Sequence, residues 1–148
     1  MREDKAIKYM SVAKNLADTF SKDPNRKVGA IFLDPESLHV LSVGYNGMPR
    51  GVDETKLNRW DRPQKYHFVS HAEINACTNA CRNGTPLNNC IAIVTMFPCC
   101  DCTKALIQIG ISELVTLPPN FTDNKWGDSF RISIEMLKET NIKVQLLV

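Results

Sequence analysis

No apolar run in this chain approaches membrane-spanning length, and the N-terminal stretch is charged and helical in pattern, with no apolar leader core. No sign of charge dominates either. Eighteen Lys and Arg are scattered among sixteen Asp and Glu, a formal net charge of +2, so the basic stripe that long nucleic acids demand is missing. A small anionic ligand needs only a local basic pocket. There is no internal repeat, no low-complexity tract and no linker, and 148 residues with 43% hydrophobic content suit one domain spanning residues 1–148 with a full core. These absences together predict an intracellular, cytoplasmic protein with no membrane or nucleic-acid partner. In that compartment six cysteines stay reduced, which favours metal ligation or burial over disulfides.

Apolar residues at helical spacing, Ala6, Met10, Ala13, Ala17 and Phe20, predict an amphipathic helix over residues 4–20. Residues 28–33 and 38–43 read as a strand hairpin joined by Asp34-Pro35-Glu36-Ser37. Three glycines and a proline between residues 44 and 51 stop regular structure, and the loop then runs to about residue 69. A connection of that length inside a compact domain is usually functional or mobile, and Trp60, Tyr66, His67 and Phe68 predict that part of it packs. A helix over 70–83, a strand over 90–96, a helix opened by Pro98 and closed by Gly110, a strand over 113–117, a helix marked by Phe130, Ile134 and Leu137, and a strand over 142–148 complete the chain. This order predicts an α/β fold: a three-layer α/β/α sandwich around a five-stranded mixed sheet.

What is present is concentrated between residues 70 and 104. Ser-His-Ala-Glu-Ile-Asn-Ala stands at one end and Phe-Pro-Cys-Cys-Asp-Cys-Thr-Lys at the other. Zinc favours four ligands in a tetrahedron, and one imidazole with two thiolates leaves one position for water. His71, Cys99 and Cys102 fit that count, and Cys99 and Cys102 share a helix face one turn apart. Attack on an amidine-like carbon also needs a group that shuttles protons, and Glu73 stands two residues from His71. The pattern H-x-E followed by P-C-x-x-C matches the signature of zinc nucleobase deaminases. His71 and Cys99 each begin a helix, so two helix N-termini would converge on the metal and lower the thiol pKa values.

Other readings of the same residues exist. Ser70 with Glu73 three residues on is also a capping box. A closed structural zinc site would need a fourth ligand, but Cys100 points roughly 100° around the helix from Cys99. A zinc-stabilised binding module without catalysis would show both features. A deaminase acting on tRNA or single-stranded DNA would need a basic, aromatic-lined channel and would depend steeply on salt. Cys77 and Cys81 are spaced i, i+4, but no matching pair lies nearby; core packing is predicted for them and for Cys90, with one zinc per subunit.

Four groups of residues carry a resemblance over nearly the whole chain: Ser21-Lys22-Asp23-Pro24-Asn25 with Val28-Gly29-Ala30; Gly44-Tyr45-Asn46-Gly47-Met48-Pro49 with Gly51; His71-Ala72-Glu73-Ile74-Asn75-Ala76; and Pro98-Cys99-x-x-Cys102-x-Lys104. Together they resemble the deoxycytidylate deaminases of the cytidine-deaminase superfamily. The resemblance implies zinc-dependent attack of water at C4 of cytosine in dCMP, yielding dUMP and ammonia and supplying dTTP synthesis. Glu73 would protonate N3 and serve the departing ammonia. Asn46 would contact the nucleoside, and the backbone at Ala72 and Cys99 would read the base edge. A homo-oligomer, commonly a hexamer, activated by dCTP with Mg2+ and inhibited by dTTP is also implied, with Tyr45, Gly47, Met48 and Arg50 in the segment tied to effectors. Some viral relatives accept dCTP as well as dCMP. The tract 120–129, with Lys125, Trp126 and Asp128, departs from the Tyr-His-Asp run expected there. The resemblance further implies a 5′-phosphate on the substrate. Placement in the turn before the first strand suggests Arg26 and Lys27 as its partners, with Arg50 and Lys104 as alternatives.

Overall fold

A computed structural model describes residues 1–148. Ten elements follow one another: α1 (Glu3–Phe20), β1 (Gly29–Leu33), β2 (Val40–Tyr45), α2 (Lys65–Phe68), α3 (Ala72–Asn83), β3 (Ile91–Val94), α4 (Cys100–Gln108), β4 (Glu113–Thr116), α5 (Gly127–Lys138) and β5 (Lys143–Leu146). The five strands form one mixed sheet in the order β2-β1-β3-β4-β5. β1 pairs antiparallel with both β2 and β3, while β3, β4 and β5 run parallel.

Every residue of β1, β3 and β4 is buried. That is the pattern of strands covered on both faces, and alternation decides which face each side chain serves. Ile31, Leu33, Ile93 and Val115 pack against Ala6, Met10 and Ala13 of α1. Ala30, Phe32, Ala92, Val94 and Leu114 pack against Ala72, Ala76 and Ala80 of α3, Leu106 of α4, and Phe130 and Leu137 of α5. The expected three layers are therefore present, with one helix on one face and three on the other. Small residues bring α3 close: a Cβ on Gly44 would lie 2.4 Å from the Ala72 carbonyl oxygen. No helix is long and apolar enough to cross a membrane.

The departures are local. The short α2 lies inside the stretch expected to be loop. α3 begins at Ala72 rather than Ser70, because Ser70 pairs with Gly47 through two backbone hydrogen bonds, of 3.1 and 2.8 Å. That bridge removes Ser70 from the N-cap, so the capping box does not form; the cap is His71, with no side-chain cap bond. β2 starts at Val40 because Leu38 takes a φ of 58° in a turn closed on Asp34. Of the three cysteines expected in the core, Cys90 is buried and Cys77 half-buried, but Cys81 is exposed at the solvent side of α3.

Candidate active site

The helices α3 and α4 start beside one another at the sheet end where β2, β3 and β4 finish. Their N-cap residues are His71 and Cys99, both with extended backbone, φ −71° and −67°. Cys102 follows one turn into α4. The His71 Nδ1 lies 3.5 Å from Cys99 Sγ and 3.4 Å from Cys102 Sγ, and the ligand atoms of all three residues lie within 4.8 Å of one another. A tetrahedral zinc with Zn–S near 2.3 Å and Zn–N near 2.0–2.1 Å separates its ligand atoms by roughly 3.5 Å. The donor set and its spacing fit that ion. Cys100 is absent from the cluster, so three protein ligands are available and the fourth position stays open.

The charges support the same arrangement. Cys99 is pulled down to about 4, first by the hydrogen bond from Cys102 and then by His71, against the effect of burial. Cys102, as the donor in that pair and buried, is pushed up. Two thiols sharing one proton become two thiolates when a divalent cation replaces it. His71 is raised, chiefly by its bond to Cys99. Glu73, only 4% exposed, is pushed up to about 7 by burial, with the charge of His71 working the other way. A carboxyl group with a pKa near neutrality is suited to take and return a proton at pH 7.

His71, Glu73 and Cys99 line a cavity of about 290 Å³, with Cys102 behind them. Val28, Tyr66, Met96, Phe97, Trp126 and Phe130 contribute apolar walls, and Ala72 also lines it. Trp126 stands edge-on to the His71 ring, with centroids 5.4 Å apart, and edge-on to Tyr66 at 6.2 Å. The tract that departs from the expected Tyr-His-Asp run thus supplies an aromatic wall of its own.

Asn46 lines the cavity, but its side chain is committed within the protein. Its Oδ1 accepts from Ser21 Oγ and the Val28 amide, both at 2.8 Å, while its Nδ2 donates to the Arg26 carbonyl at 2.8 Å and to Asp23 at 3.4 Å. It therefore fixes the turn that carries Arg26. Asp23 also accepts from Lys65 Nζ at 2.9 and 3.1 Å, both side chains being buried, and Lys65 reaches Asn25 at 3.0 Å. Asn75 donates to the carbonyls of Tyr45 and Ser70, so it braces the loop beside α3 and does not face the cavity.

Of the two cations expected at a phosphate, Arg26 lines the cavity and pairs with Asp123 at 3.0 Å. Lys27 does not: its Nζ turns to the Asp18 carbonyl at 3.3 Å. The alternatives also lie elsewhere, Arg50 on Asn79 and Lys104 on Asp101. Tyr45 stacks on Phe20, and none of Tyr45, Gly47, Met48 and Arg50 lines the cavity. Lys65, Tyr66, Arg62 and Lys125 were missed. For Lys65, Tyr66 and Arg62 the one advance signal was the length of the 44–69 loop and its aromatic content, and for Lys125 it was the divergence of the tract 120–129; contacts between segments so far apart in the chain leave no local pattern.

The comparisons with known proteins agree with this geometry. A deoxycytidylate deaminase of Homo sapiens is 37% identical over 134 residues, covering 86% of this chain and 72% of its own. A probable deoxycytidylate deaminase of Caenorhabditis elegans is 35% identical over 145 residues, covering 95% and 68%. The crystal structure of a dCMP deaminase from the cyanophage S-TIM5, in complex with dCMP and dUMP, superimposes with a TM-score of 0.78 at 25% identity, over 99% of each chain. The family profile described as the cytidine and deoxycytidylate deaminase zinc-binding region matches residues 3–117, a span that holds His71, Glu73, Cys99 and Cys102. With the zinc-type donor set, the buried carboxyl group and the sheet order all in place, this chain belongs to the cytidine and deoxycytidylate deaminase family.

Proposed function

We propose that this protein hydrolyses dCMP to dUMP and ammonia, with residues 1–148 acting as one catalytic domain. The observation that carries the reading is the buried Glu73 carboxyl group lining the cavity beside the His71, Cys99 and Cys102 cluster. The similarity to a phage enzyme complexed with dCMP and dUMP supports the choice of base and phosphate. His71, Cys99 and Cys102 would hold zinc, which when bound supplies the Lewis acidity that activates water near neutral pH. Glu73 accepts a proton from the water and delivers it to N3 of the cytosine as the oxygen adds at C4, then takes the second proton from the added hydroxyl and hands it to the amino group, which leaves as ammonia as the C4 carbonyl forms. Tyr66 and Trp126 confine the base, and the Ala72 backbone lies at its edge. Atoms balance: dCMP and water give dUMP and ammonia.

Arg26, Arg62 and Lys125 line the cavity while Lys27 turns away from it, which supports the first three as partners of the 5′-phosphate. Lys125 lies over the Tyr66 ring at 4.2 Å and the Trp126 ring at 5.4 Å, so one side chain joins the aromatic wall to the charged rim. Lys65 is already neutralised by Asp23. The family likeness further supports a cytoplasmic homo-oligomer, regulated by dCTP with Mg2+ and by dTTP, through the Tyr45 to Arg50 segment outside the cavity.

The test is a substrate panel of dCMP, dCTP, deoxycytidine, CMP and a tRNA, with product identified by chromatography. Preference for dCMP is expected. Preference for tRNA, with rates falling steeply in salt, would replace this reading with a nucleic-acid deaminase.

A further inference from the structure

A helix N-cap is usually a residue whose own side chain accepts from the first amides. Cys99 makes no such bond, because its sulfur faces His71 and Cys102. The amide of Cys100 is then one of the orphan donors of α4. It is taken from outside: it donates to Ser129 Oγ of α5 at 2.7 Å. On the other side of Cys99, the Pro98 carbonyl accepts from Ser133 Oγ of α5 at 2.9 Å and from Thr103 Oγ1 at 3.4 Å. The two peptide planes that meet at the Cys99 Cα are therefore both held by α5. Between them they set φ and ψ at −67° and 168°, and with them the direction of the Cα–Cβ bond.

Ser129 and Ser133 stand four apart and so share a face of α5. Ser133 is fully buried and Ser129 half-buried. Trp126, three residues before Ser129, sets its ring edge-on to His71. One face of α5 thus bears on both segments that carry the candidate ligands.

We propose that Ser129 and Ser133 are positioning residues for the metal site: by holding the peptide planes on either side of Cys99, Ser129 through the Cys100 amide and Ser133 through the Pro98 carbonyl, they fix the direction in which its sulfur is presented to the metal. The proposal rests on the reading of His71, Cys99 and Cys102 as zinc ligands, and it holds whatever the substrate is. Groups that orient a ligand from behind typically contribute ten- to hundredfold to metal affinity.

The experiment compares zinc-loaded wild type with Ser129→Ala, Ser133→Ala and Ser129→Thr. It reads zinc transfer to a chromophoric chelator, the thiolate-to-metal charge-transfer band after cobalt replacement, and the Tm of the metal-free protein. For Ser129→Ala, zinc affinity about ten- to hundredfold weaker is expected, with a shifted cobalt band and an unchanged metal-free Tm. The kcat should fall while KM for dCMP holds, and Ser129→Thr, which keeps the hydroxyl, should restore all of these. Zinc retention and a cobalt band like wild type in Ser129→Ala would overturn the proposal. So would a loss of zinc that merely follows a lower metal-free Tm and that threonine leaves uncorrected. If Ser133→Ala fails to fold, the Ser129 pair decides alone. Wild type that holds zinc but leaves dCMP intact refutes the substrate reading and spares this one; wild type that binds no zinc overturns this proposal.

Discussion

Glu73 sits against three candidate metal ligands with almost no solvent around it, and burial is what brings its proton within reach of neutral pH. Glu73→Gln keeps the size and removes the titration. It should retain zinc and fold while turnover falls by about 10² to 10⁴ or more, the range of general acid–base catalysis; kcat with parallel metal analysis checks this. Arg26→Ala should lower kcat/KM for dCMP about ten- to hundredfold, as for the loss of roughly 1.5–3 kcal/mol in a contact to a charged group. Deoxycytidine should be unaffected, and Lys27→Ala should change neither substrate. At this scale the metal ligands were legible because histidine and cysteine at fixed spacing have few other uses. The phosphate cations were not, since adjacency in the chain put Arg26 and Lys27 together while the fold sends them to different places. Asn46 was legible as important, but its four hydrogen-bonding positions turn out to serve the turn that carries Arg26.

Among the elements, the segment entering α5 has little room to change. A Cβ on Gly127 would lie 2.4 Å from the Phe121 carbonyl oxygen, which is backbone and cannot rotate away. Gly127→Ala should therefore push residues 121–126 off their present path, moving Asp123 from Arg26 and Trp126 from His71. Overpacking of this kind costs about 1–3 kcal/mol. The readouts are a lower Tm and a raised KM for dCMP, larger than the change in kcat. Helix and strand periodicity made eight of the nine expected elements legible to within a few residues, α5 being marked only by Phe130, Ile134 and Leu137. The short α2 was not, because four residues are too few to show a period. The start of α3 was misplaced for a different reason: Ser70 has the chemistry of an N-cap, yet its backbone is already engaged by Gly47.

For the molecule as a whole, the buried Asp23–Lys65 pair ties the turn after α1 to the segment before α3, sequences that propensity alone cannot connect. Lys65→Ala leaves Asp23 buried without its cation and should destabilise the fold by about 3–5 kcal/mol, read by urea unfolding at pH 7. Burial raises the Asp23 pKa, but the amides of Asn25 and Arg26 and the Lys65 ammonium outweigh it, so the carboxyl group is held below its usual range. The unfolded chain then binds that proton more tightly than the folded one. The contribution is complete above the ordinary Asp value of about 3.9 and is lost as pH falls through the lower folded value. Wild-type stability should decline in that acid window, and the decline should be smaller in Lys65→Ala. The layered α/β architecture itself was legible from the alternation of short apolar strands with amphipathic helices, whereas this cross-link was not.

The most direct measurement of the central claim is product analysis of the zinc-loaded protein incubated with dCMP, run beside Glu73→Gln at equal zinc content. The account predicts dUMP and ammonia in equal amounts from the wild type and a rate at least about a hundredfold lower from the variant. Equal rates from the two proteins, or a wild type that carries one zinc per chain and leaves dCMP unchanged, would contradict it.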